Sequence, residues 1–552
     1  MPSSLLCETV TGRSTAELRM ARDAAVADMV EVRLDGVADL DVAGALAGRS
    51  KPAVVTCRPQ WEGGRFAGSE EERHRILAEA VSLGAEFVDV EWAALHAIHK
   101  PGFADIVDRA PSRVVVSSHD FDGVPLDVEA RARDMRSYGA AVIKIAVMPR
   151  ALRDTLPLRT IARDGDAVVV GMGDAGVPTR LLAARFGSRW SYAGNGVAPG
   201  QIPAERMLSQ FRFHDIGPAT RIFGVVSSTA MHSFSPVMHN AAFAAAAIDA
   251  VYVPLQTTEF GDFDEFAAAL GIEGVSVTIP FKGDALRAAS DADDLTRQVG
   301  AANTLRRHSG RGRHTDRGLD TDRGADLVRS AAEASLTPGS PSRPRDGVAW
   351  LAPPSSAWEA TNTDVAGFLA PLEQAFGRPL AGAHAAVLGG GGSARAVVVA
   401  LLSRGARVTL HTRRREQAEA VTGALQVNPA EAGLHTPEIN PAEAGRHTAE
   451  IGEWPLRDGW DLLVNCTPLG SPTMRDESPL PGGPFGGRLV YDLTYGAGES
   501  RLIREAREAG CQTLDGLPML IAQAERQFEW WTGRPPLAGV MRNAVERSVR
   551  CT

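Results

Sequence analysis

Over the first 213 residues, short apolar runs recur with polar loops and helix-patterned stretches between them. Eight runs stand out: "LLCETV" from Leu5, "MVEVRLDG" from Met29, "AVVTCRP" from Ala53, "FVDVEW" from Phe87, "RVVVSSHDF" from Arg113, "AVIKIAVMP" from Ala141, "AVVVGMG" from Ala167 and "SRWSYAG" from Ser188. Each reads as a buried strand. Segments such as "SEEERHRILAEAVSLGA" and "VPTRLLAARFG" between them read as helices. Eight βα units in about 200 residues predict a (β/α)8 TIM barrel, in which functional groups sit at the C-terminal ends of the strands.

The rhythm changes after "AERMLSQFRF", where Gly217 and Pro218 interrupt a helical pattern and a new strand is predicted from Arg221. There "GVVSSTAMHSFSPVMHNAAF" gives a strand, a hydroxyl-rich loop and a helix entry, followed by "GVSVTIPFKGDAL", "GAANTL" and "TNTDVAGF". Near residue 386, "HAAVLGGGGSARAVVVALLSRGARVTLHTRRREQA" runs from an apolar strand into glycines, a helix and a second strand. Gly389, Gly391 and Ala394 lie where a Rossmann βαβ unit needs a tight turn, a close approach to pyrophosphate and helix packing. NAD sites place an acidic residue at the end of the second strand; here Thr412, Arg413, Arg414 and Arg415 favour the 2′-phosphate of NADP(H). Two segments read as surface additions: 306–357, rich in Arg, Gly, Ser and Pro, and the tandem duplication "NPAEAGLHTPEI", "NPAEAGRHTAEI" at 428–451.

Length and composition narrow the class. The 552 residues, 44% hydrophobic and 23% charged, allow two to four domains with sizeable cores. No apolar run reaches membrane-spanning length and "MPSSLLCETV" lacks the pattern of a leader, so a cytoplasmic protein is expected. The five cysteines are scattered and lack C-x-x-C spacing, which argues against a disulfide framework and a metal site. A net charge of −9 disfavours nucleic acid as a partner.

Among 58 lysines and arginines only four are lysines: Lys51, Lys100, Lys144 and Lys282. Arginine neither loses its proton nor forms an imine; lysine does both. Lys144 sits in the middle of an apolar strand, where the plain alternative is a stem lying along apolar surface with its head in water. Against that, polar residues collect at the predicted strand ends: Glu31, Arg33 and Asp35, then Arg58, then Asp89 and Glu91, then His119 and Asp120. Together they would surround Lys144 in one barrel mouth. Lost hydration and nearby arginines would favour the free amine, and the expected chemistry is Schiff-base catalysis on a ketone.

In order along the first domain, "EVRLD", "TCRPQWEGG", "FVDVEW", "SSHDF", "KIAV", "GMGDAGVPTR" and "APGQ" give it a resemblance to type I 3-dehydroquinate dehydratase over nearly its whole length. The resemblance implies that Lys144 forms an imine with the substrate's ring ketone. His119 would take the neighbouring proton and return it to the departing hydroxyl, with Glu62 orienting His119. Arg180 would pair with the substrate carboxylate, a role that suits a bidentate guanidinium. Glu31, Arg33, Arg58 and Gln201 would hold hydroxyl groups. Val197 stands where the family usually has serine, four residues before the glutamine of "APGQ".

The second part, through "SFSPVMHN", "VTIPFK", "GAANT", "NTD", "GGGGSAR", "NCTPLG", "YDLTY" and "DGLPMLIAQA", resembles shikimate dehydrogenase. The resemblance implies a catalytic pair, Lys282 and Asp364, at a carbonyl that needs a proton donor within hydrogen-bond reach as hydride arrives. It assigns Ser233, Ser235, Thr278, Asn303, Tyr495 and Gln523 to substrate, and Gly389, Gly391, Gly392, Ser393, Ala394, Thr412, Arg413 and Arg414 to the cofactor. Ser276 stands where the family often has asparagine. The expected organisation is a barrel at 1–215, a substrate-binding lobe at 219–363, a Rossmann NADP lobe at 364–514 and C-terminal helices at 515–552 returning to the substrate lobe.

Dehydration of 3-dehydroquinate yields 3-dehydroshikimate, the ketone that the second half would reduce to shikimate. The chain therefore reads as a bifunctional shikimate-pathway enzyme, with these small molecules as its partners and neither nucleic acid nor membrane among them. A binding protein with decayed sites would have lost Lys144, His119, Lys282 or Asp364, and none is lost. An aldolase-like barrel is disfavoured by the "SSHDF" and "EGG" context. A quinate/shikimate catabolic dehydrogenase fusion would favour NAD, against the Arg413 cluster.

Overall fold

A computed structural model describes residues 4–96, 103–307, 358–423, 448–453, 456, 459–496 and 498–550. The segments 306–357 and 428–451 lie outside these except at their margins. Strands β1 (Leu5–Val10), β2 (Met29–Arg33), β3 (Ala53–Thr56), β4 (Phe87–Glu91), β5 (Val114–Asp120), β6 (Val142–Val147), β7 (Ala167–Gly171) and β8 (Trp190–Ala193) form a sheet in the order β7-β6-β5-β4-β3-β2-β1-β8. The ring closes where Arg189 N–H donates to the Ala167 carbonyl (2.9 Å) and Val169 N–H to Ser188 Oγ (3.1 Å). Alternate residues of a strand face opposite ways. Met29, Val54, Val115, Val142, Ala146 and Val168 form one buried cluster inside the barrel, while Val30, Val55, Val116, Ile143, Ile145 and Val169 pack outward with the helices. Burial on both faces makes these strands apolar throughout. Lys144, in phase with Val142 and Ala146, points inward.

The second sheet contains β9 (Arg221–Ser227), β10 (Ala250–Gln256), β11 (Ile272–Val277), β12 (Ala289–Ala292), β13 (Thr304–Arg307) and β14 (Trp358–Thr361), in the order β10-β9-β11-β13-β14-β12. The third contains β15 (His384–Leu388), β16 (Arg407–His411), β17 (Glu450–Ile451), β18 (Leu462–Asn465), β19 (Leu489–Asp492) and β20 (Gln512–Leu514). Its order, β17-β16-β15-β18-β19-β20, is the doubly wound Rossmann order, whose ligand crevice lies at the strand C-termini between β15 and β18. Helix Leu517–Thr532 lies so close to helix Asp364–Phe376 that a Cβ on Gly367 would sit 2.7 Å from that of Gln523. Its Leu520, Ile521 and Phe528 share a core with Phe223, Val225 and Tyr252 of the second sheet.

The barrel and the second sheet are not loosely strung. One hydrophobic cluster runs from Leu152, Leu158 and Phe186 to Phe263, Phe266 and Leu270. Asp262, buried beside it, accepts the backbone N–H groups of Leu152 (2.9 Å) and Arg153 (2.8 Å) and the Thr257 hydroxyl (2.6 Å). Among the described residues no helix is long and apolar enough to cross a membrane.

Candidate functional sites

Inside the barrel, Lys144 Nζ donates to Glu31 Oε1 (3.0 Å) and Asp89 Oδ2 (3.3 Å) and lies 4.4 Å from the Tyr192 ring centroid. Its nearest charged neighbours are thus carboxylates, where the sequence led us to expect arginines. The reason is local. Arg33 is held by Asp35 (2.8 and 2.9 Å), and Arg58 by Asp89 (2.9 Å) and Glu91 (2.8 Å), so each guanidinium is drawn to its own acid. Burial opposes ionisation of Glu31 and Asp89, yet Lys144 and the arginines hold both below the usual carboxylate range.

Ser117 pairs with Lys144 across β5 and β6, so His119 stands on the same face roughly 7 Å nearer the rim. Glu62 Oε1 accepts the backbone N–H of His119 (2.9 Å) and lies 2.9 Å from its Nδ1. An oxygen already accepting from a backbone N–H places the ring proton on Nδ1 and leaves the Nε2 lone pair free. Burial, reinforced by Arg58 and Lys144, pushes His119 well below the imidazole range. Burial also pushes Glu62 up to about 8, against the pull of Arg58. Both shifts keep the pair uncharged.

Arg180 differs from the other two arginines. Its NH1 and NH2 donate only to the carbonyls of Tyr192 and Pro199 (both 3.3 Å), its Nε has no partner, and no carboxylate pairs with it among the described residues. At 2% exposure, burial pushes its pKa down to about 10. A buried, unpaired guanidinium is costly unless an anion joins it. A cavity of about 610 Å³ brings together Glu31, Arg33, Arg58, Glu62, His119, Lys144, Arg180 and Gln201, the whole first set read from sequence. Gln201 Oε1 accepts the backbone N–H groups of Val197 (2.9 Å) and Ala198 (3.1 Å), so the final loop is tied through its backbone without a serine at 197.

A second cavity, of about 650 Å³, contains Ser233, Ser235, Thr278, Lys282, Asn303, Asp364, Ser393, Tyr495 and Gln523. Lys282 Nζ donates to Asp364 Oδ2 (2.6 Å) and reaches Ser393 Oγ (3.4 Å), while Asn303 Nδ2 donates to Asp364 Oδ1 (2.8 Å). Breaking a buried pair of this kind costs about 3–5 kcal/mol.

The glycine loop after β15 adjoins that pair. Gly389 has φ +108°, a conformation that only glycine adopts readily, and a Cβ on Gly392 would sit 3.2 Å from Lys282 Cδ. Among the described residues, its own chain neighbours aside, nothing lies within 4 Å of where a Cβ on Gly391 would be, leaving the open approach that a phosphate needs, while Ala394 is buried in the core. Thr412 Oγ1 donates to the Arg414 carbonyl (2.7 Å). Arg413 and Arg414 are exposed without an ion pair among the described residues, whereas Arg415 pairs with Glu419 (3.0 Å). Two free guanidiniums at the end of β16 fit a dinucleotide carrying an extra phosphate.

Sequence reasoning missed Ser117 and Tyr192, and counted Asp89 only among the polar groups around Lys144. Ser117 Oγ donates to Asp89 Oδ1 (2.6 Å) and accepts from Arg58 (2.9 Å). Its place two residues before His119 puts it on the same face, a signal available in "VSSHDF". Nothing in "SRWSYAG" links Tyr192 to Lys144 beyond the inward phase of a strand.

Three family models match the chain: type I 3-dehydroquinase over residues 6–218, the shikimate dehydrogenase substrate binding domain over 225–305, and the shikimate 5'-dehydrogenase C-terminal domain over 516–546. The chain is 29% identical over 550 residues to the chloroplastic bifunctional 3-dehydroquinate dehydratase/shikimate dehydrogenase of Arabidopsis thaliana, covering 96% of this chain and 82% of that protein. It is 33% identical over 323 residues to the shikimate dehydrogenase (NADP(+)) of Salinibacter ruber, covering 57% of this chain and 93% of the relative. To that of Symbiobacterium thermophilum it is 34% identical over 336 residues, covering 60% and 94%. With a type I 3-dehydroquinase unit joined to a shikimate dehydrogenase unit, the chain belongs to the bifunctional 3-dehydroquinate dehydratase/shikimate dehydrogenase family.

Proposed function

We propose that this chain dehydrates 3-dehydroquinate to 3-dehydroshikimate in the barrel and reduces that product to shikimate with NADPH in the second half, as consecutive cytoplasmic steps of the shikimate pathway. The observation that carries this reading is the convergence of a buried lysine, an uncharged histidine with a free Nε2 and an unpaired buried arginine in one cavity. The Lys144 ammonium hands a proton to the Glu31 carboxylate beside it, the freed amine attacks the ring ketone, and that proton together with one from the attacking nitrogen leaves with the ketone oxygen as water, so that the iminium forms between Glu31 and Asp89, which stabilise its positive charge. His119 Nε2 removes a proton from the adjacent carbon, and the electron pair moves into the carbon–nitrogen system as an enamine. The enamine then expels the hydroxyl, which leaves as water with the proton returned by His119. Hydrolysis of the conjugated iminium frees Lys144 and the product. Arg180 binds the substrate carboxylate throughout.

In the second site NADPH, when bound, supplies the hydride. The Lys282 ammonium donates a proton to the carbonyl oxygen as negative charge develops there, and Asp364, itself held by Asn303, keeps the ammonium in place. Gly389, Gly391, Gly392 and Ser393 would hold the dinucleotide phosphates, and Arg413 and Arg414 the 2′-phosphate. The division into units at 1–215, 219–363, 364–514 and 515–552 belongs to the same proposal. Purified protein given 3-dehydroquinate and NADPH is expected to show enone absorbance rising and NADPH being consumed. Absence of the enone signal removes the first activity; enone without NADPH loss removes the second.

A further inference from the structure

Behind the second cavity, hydrogen bonds between side chains form a relay whose polarity is fixed from one end. The backbone N–H of Thr363 donates to Asn303 Oδ1 (2.8 Å), so the amide nitrogen of Asn303 faces the other way, toward Asp364 Oδ1 (2.8 Å) and Gln523 Oε1 (3.0 Å). Gln523 therefore presents oxygen to the relay. The group of Gln527 that meets that oxygen has to be its nitrogen, and Gln527 Nε2 donates to Gln523 Oε1 (3.1 Å) and to Thr304 Oγ1 (3.1 Å). Its other atom, Oε1, accepts from Ser276 Oγ (2.7 Å), and Ser276 in turn accepts from the Tyr252 hydroxyl (2.6 Å). Tyr252 and Gln527 are almost fully buried, at 0% and 1% exposure. The direction is set at the Thr363 N–H and the Asp364 carboxylate, groups with a single role; Asn303 Nδ2 also reaches Thr363 Oγ1 (3.0 Å) and Gln527 Nε2 the Asn303 carbonyl (3.4 Å), and the Ser276 and Tyr252 hydroxyls take the role their neighbours leave.

We propose that Gln527, with Ser276 and Tyr252 behind it, is a positioning residue that locks the Gln523 amide with its nitrogen toward the substrate, so that the second site demands a hydrogen-bond acceptor oxygen there. This rests on the reading of that cavity as the ketone-reducing site. Ser276, which departs from the asparagine common in the family, has a consequence in this arrangement: a hydroxyl both accepts from Tyr252 and donates to Gln527, passing polarity along. A buried amide that meets the wrong partner loses its bond and leaves a second group unsatisfied, so the lock discriminates strongly.

The test uses the full-length chain, with barrel dehydration as an internal measure of folding. Gln527→Glu keeps the shape, still accepts from Ser276 and no longer donates to Gln523. It should raise KM for 3-dehydroshikimate roughly tenfold or more while changing kcat and the KM for NADPH much less. Gln527→Met, which frees Gln523 to rotate, should do the same to a smaller extent, and Tyr252→Phe, which leaves Gln527 correctly oriented, should stay within about threefold. Shikimate analogues that each lack one ring hydroxyl, assayed in the oxidative direction, separate positioning from packing: the Gln527→Glu penalty should shrink for the analogue missing the oxygen that Gln523 contacts. An equal penalty for every analogue, an unchanged KM, or Tyr252→Phe matching Gln527→Glu would overturn the proposal. A wild-type chain inactive on 3-dehydroshikimate with NADPH would instead overturn the reading of the site itself.

Discussion

Lys144 and Lys282 are both buried beside carboxylates, but the chain holds them in different ways. Lys144 stands on a central strand of a closed barrel between two acids, Glu31 and Asp89, and under the ring of Tyr192. Lys282 begins a short helix at the end of "VTIPF", pairs with the single acid Asp364 and touches the glycine loop of the Rossmann lobe. The first is fixed by a sheet whose strands all contribute to one site. The second depends on two sheets meeting. A nucleophile that forms a covalent bond needs a fixed position among groups that stabilise its cation; a proton donor to a reduced carbonyl has to lie where cofactor and substrate come together. Substitutions at the two lysines should therefore separate cleanly.

The largest effect is expected for Lys144→Arg. It preserves a cation between Glu31 and Asp89, so the fold survives, but an arginine forms no imine. Dehydration should fall below detection while reduction of added 3-dehydroshikimate continues. Borohydride added to wild-type enzyme turning over 3-dehydroquinate should leave a covalent adduct on Lys144, found by peptide mass. An adduct-free protein would remove the imine mechanism.

Lys282→Ala is the mirror experiment. It should lower kcat for reduction by about a hundred- to ten-thousandfold, the usual range for a positioned proton donor, and leave dehydration intact. If KM rises instead and kcat holds, Lys282 binds the ketone without donating to it.

Arg413→Ala probes how the second site takes its cofactor. Loss of one charged contact to phosphate costs about 1.5–3 kcal/mol, roughly ten- to a hundredfold in NADPH affinity, with NADH affected far less. Equal weakening of both would show that Arg413 does not read the 2′-phosphate.

These predictions draw on residues that were visible before the fold was known, and the reason is physical. A parallel barrel buries both faces of each strand, so any polar residue inside such a run, as Lys144, Asp89 and His119 are, marks the interior or the rim. The glycine loop was legible because Gly389 needs a positive φ and Ala394 a close helix contact. Partnership was not legible. That acids rather than arginines would lie nearest Lys144, that Arg58 would pair with Asp89 and Glu91, and that Gln527 would orient Gln523 all depend on side chains brought together from distant positions. Tyr192 and Asp262 look ordinary in sequence for the same reason.

The pH dependence of dehydration sharpens the barrel side of the comparison. His119 lies well below the ordinary imidazole value, so it stays neutral as pH falls through that value and protonates only beneath it. Burial pushes Glu62 up to about 8, but a proton on Oε2 leaves Oε1 accepting from the His119 backbone N–H and from Nδ1–H, so the tautomer does not change. An ordinary imidazole loses about nine-tenths of its free base by pH 5.5, roughly a tenfold fall in kcat/KM. Dehydration should fall much less than that, and an acid limb centred on the ordinary imidazole value would show that His119 is not desolvated as the cavity requires.

The smallest effect asks whether the two sites are independent at all. Asp262 belongs to the dehydrogenase half, yet its carboxylate accepts the N–H groups of Leu152 and Arg153, just beyond the strand that carries Lys144. In Asp262→Asn one oxygen still accepts, but the amide nitrogen meets an N–H, so one buried donor loses its partner. That loss is worth about 1–3 kcal/mol of stability. Because Leu152 and Leu158 share a hydrophobic cluster with Phe263, Phe266 and Leu270, loosening the contact should move both halves together. In urea, the loss of dehydration and the loss of reduction should shift to lower concentration by the same amount. A shift confined to one activity, or none, would show that the contact joins the halves without coupling their stability, and that each lysine's site stands on its own unit alone.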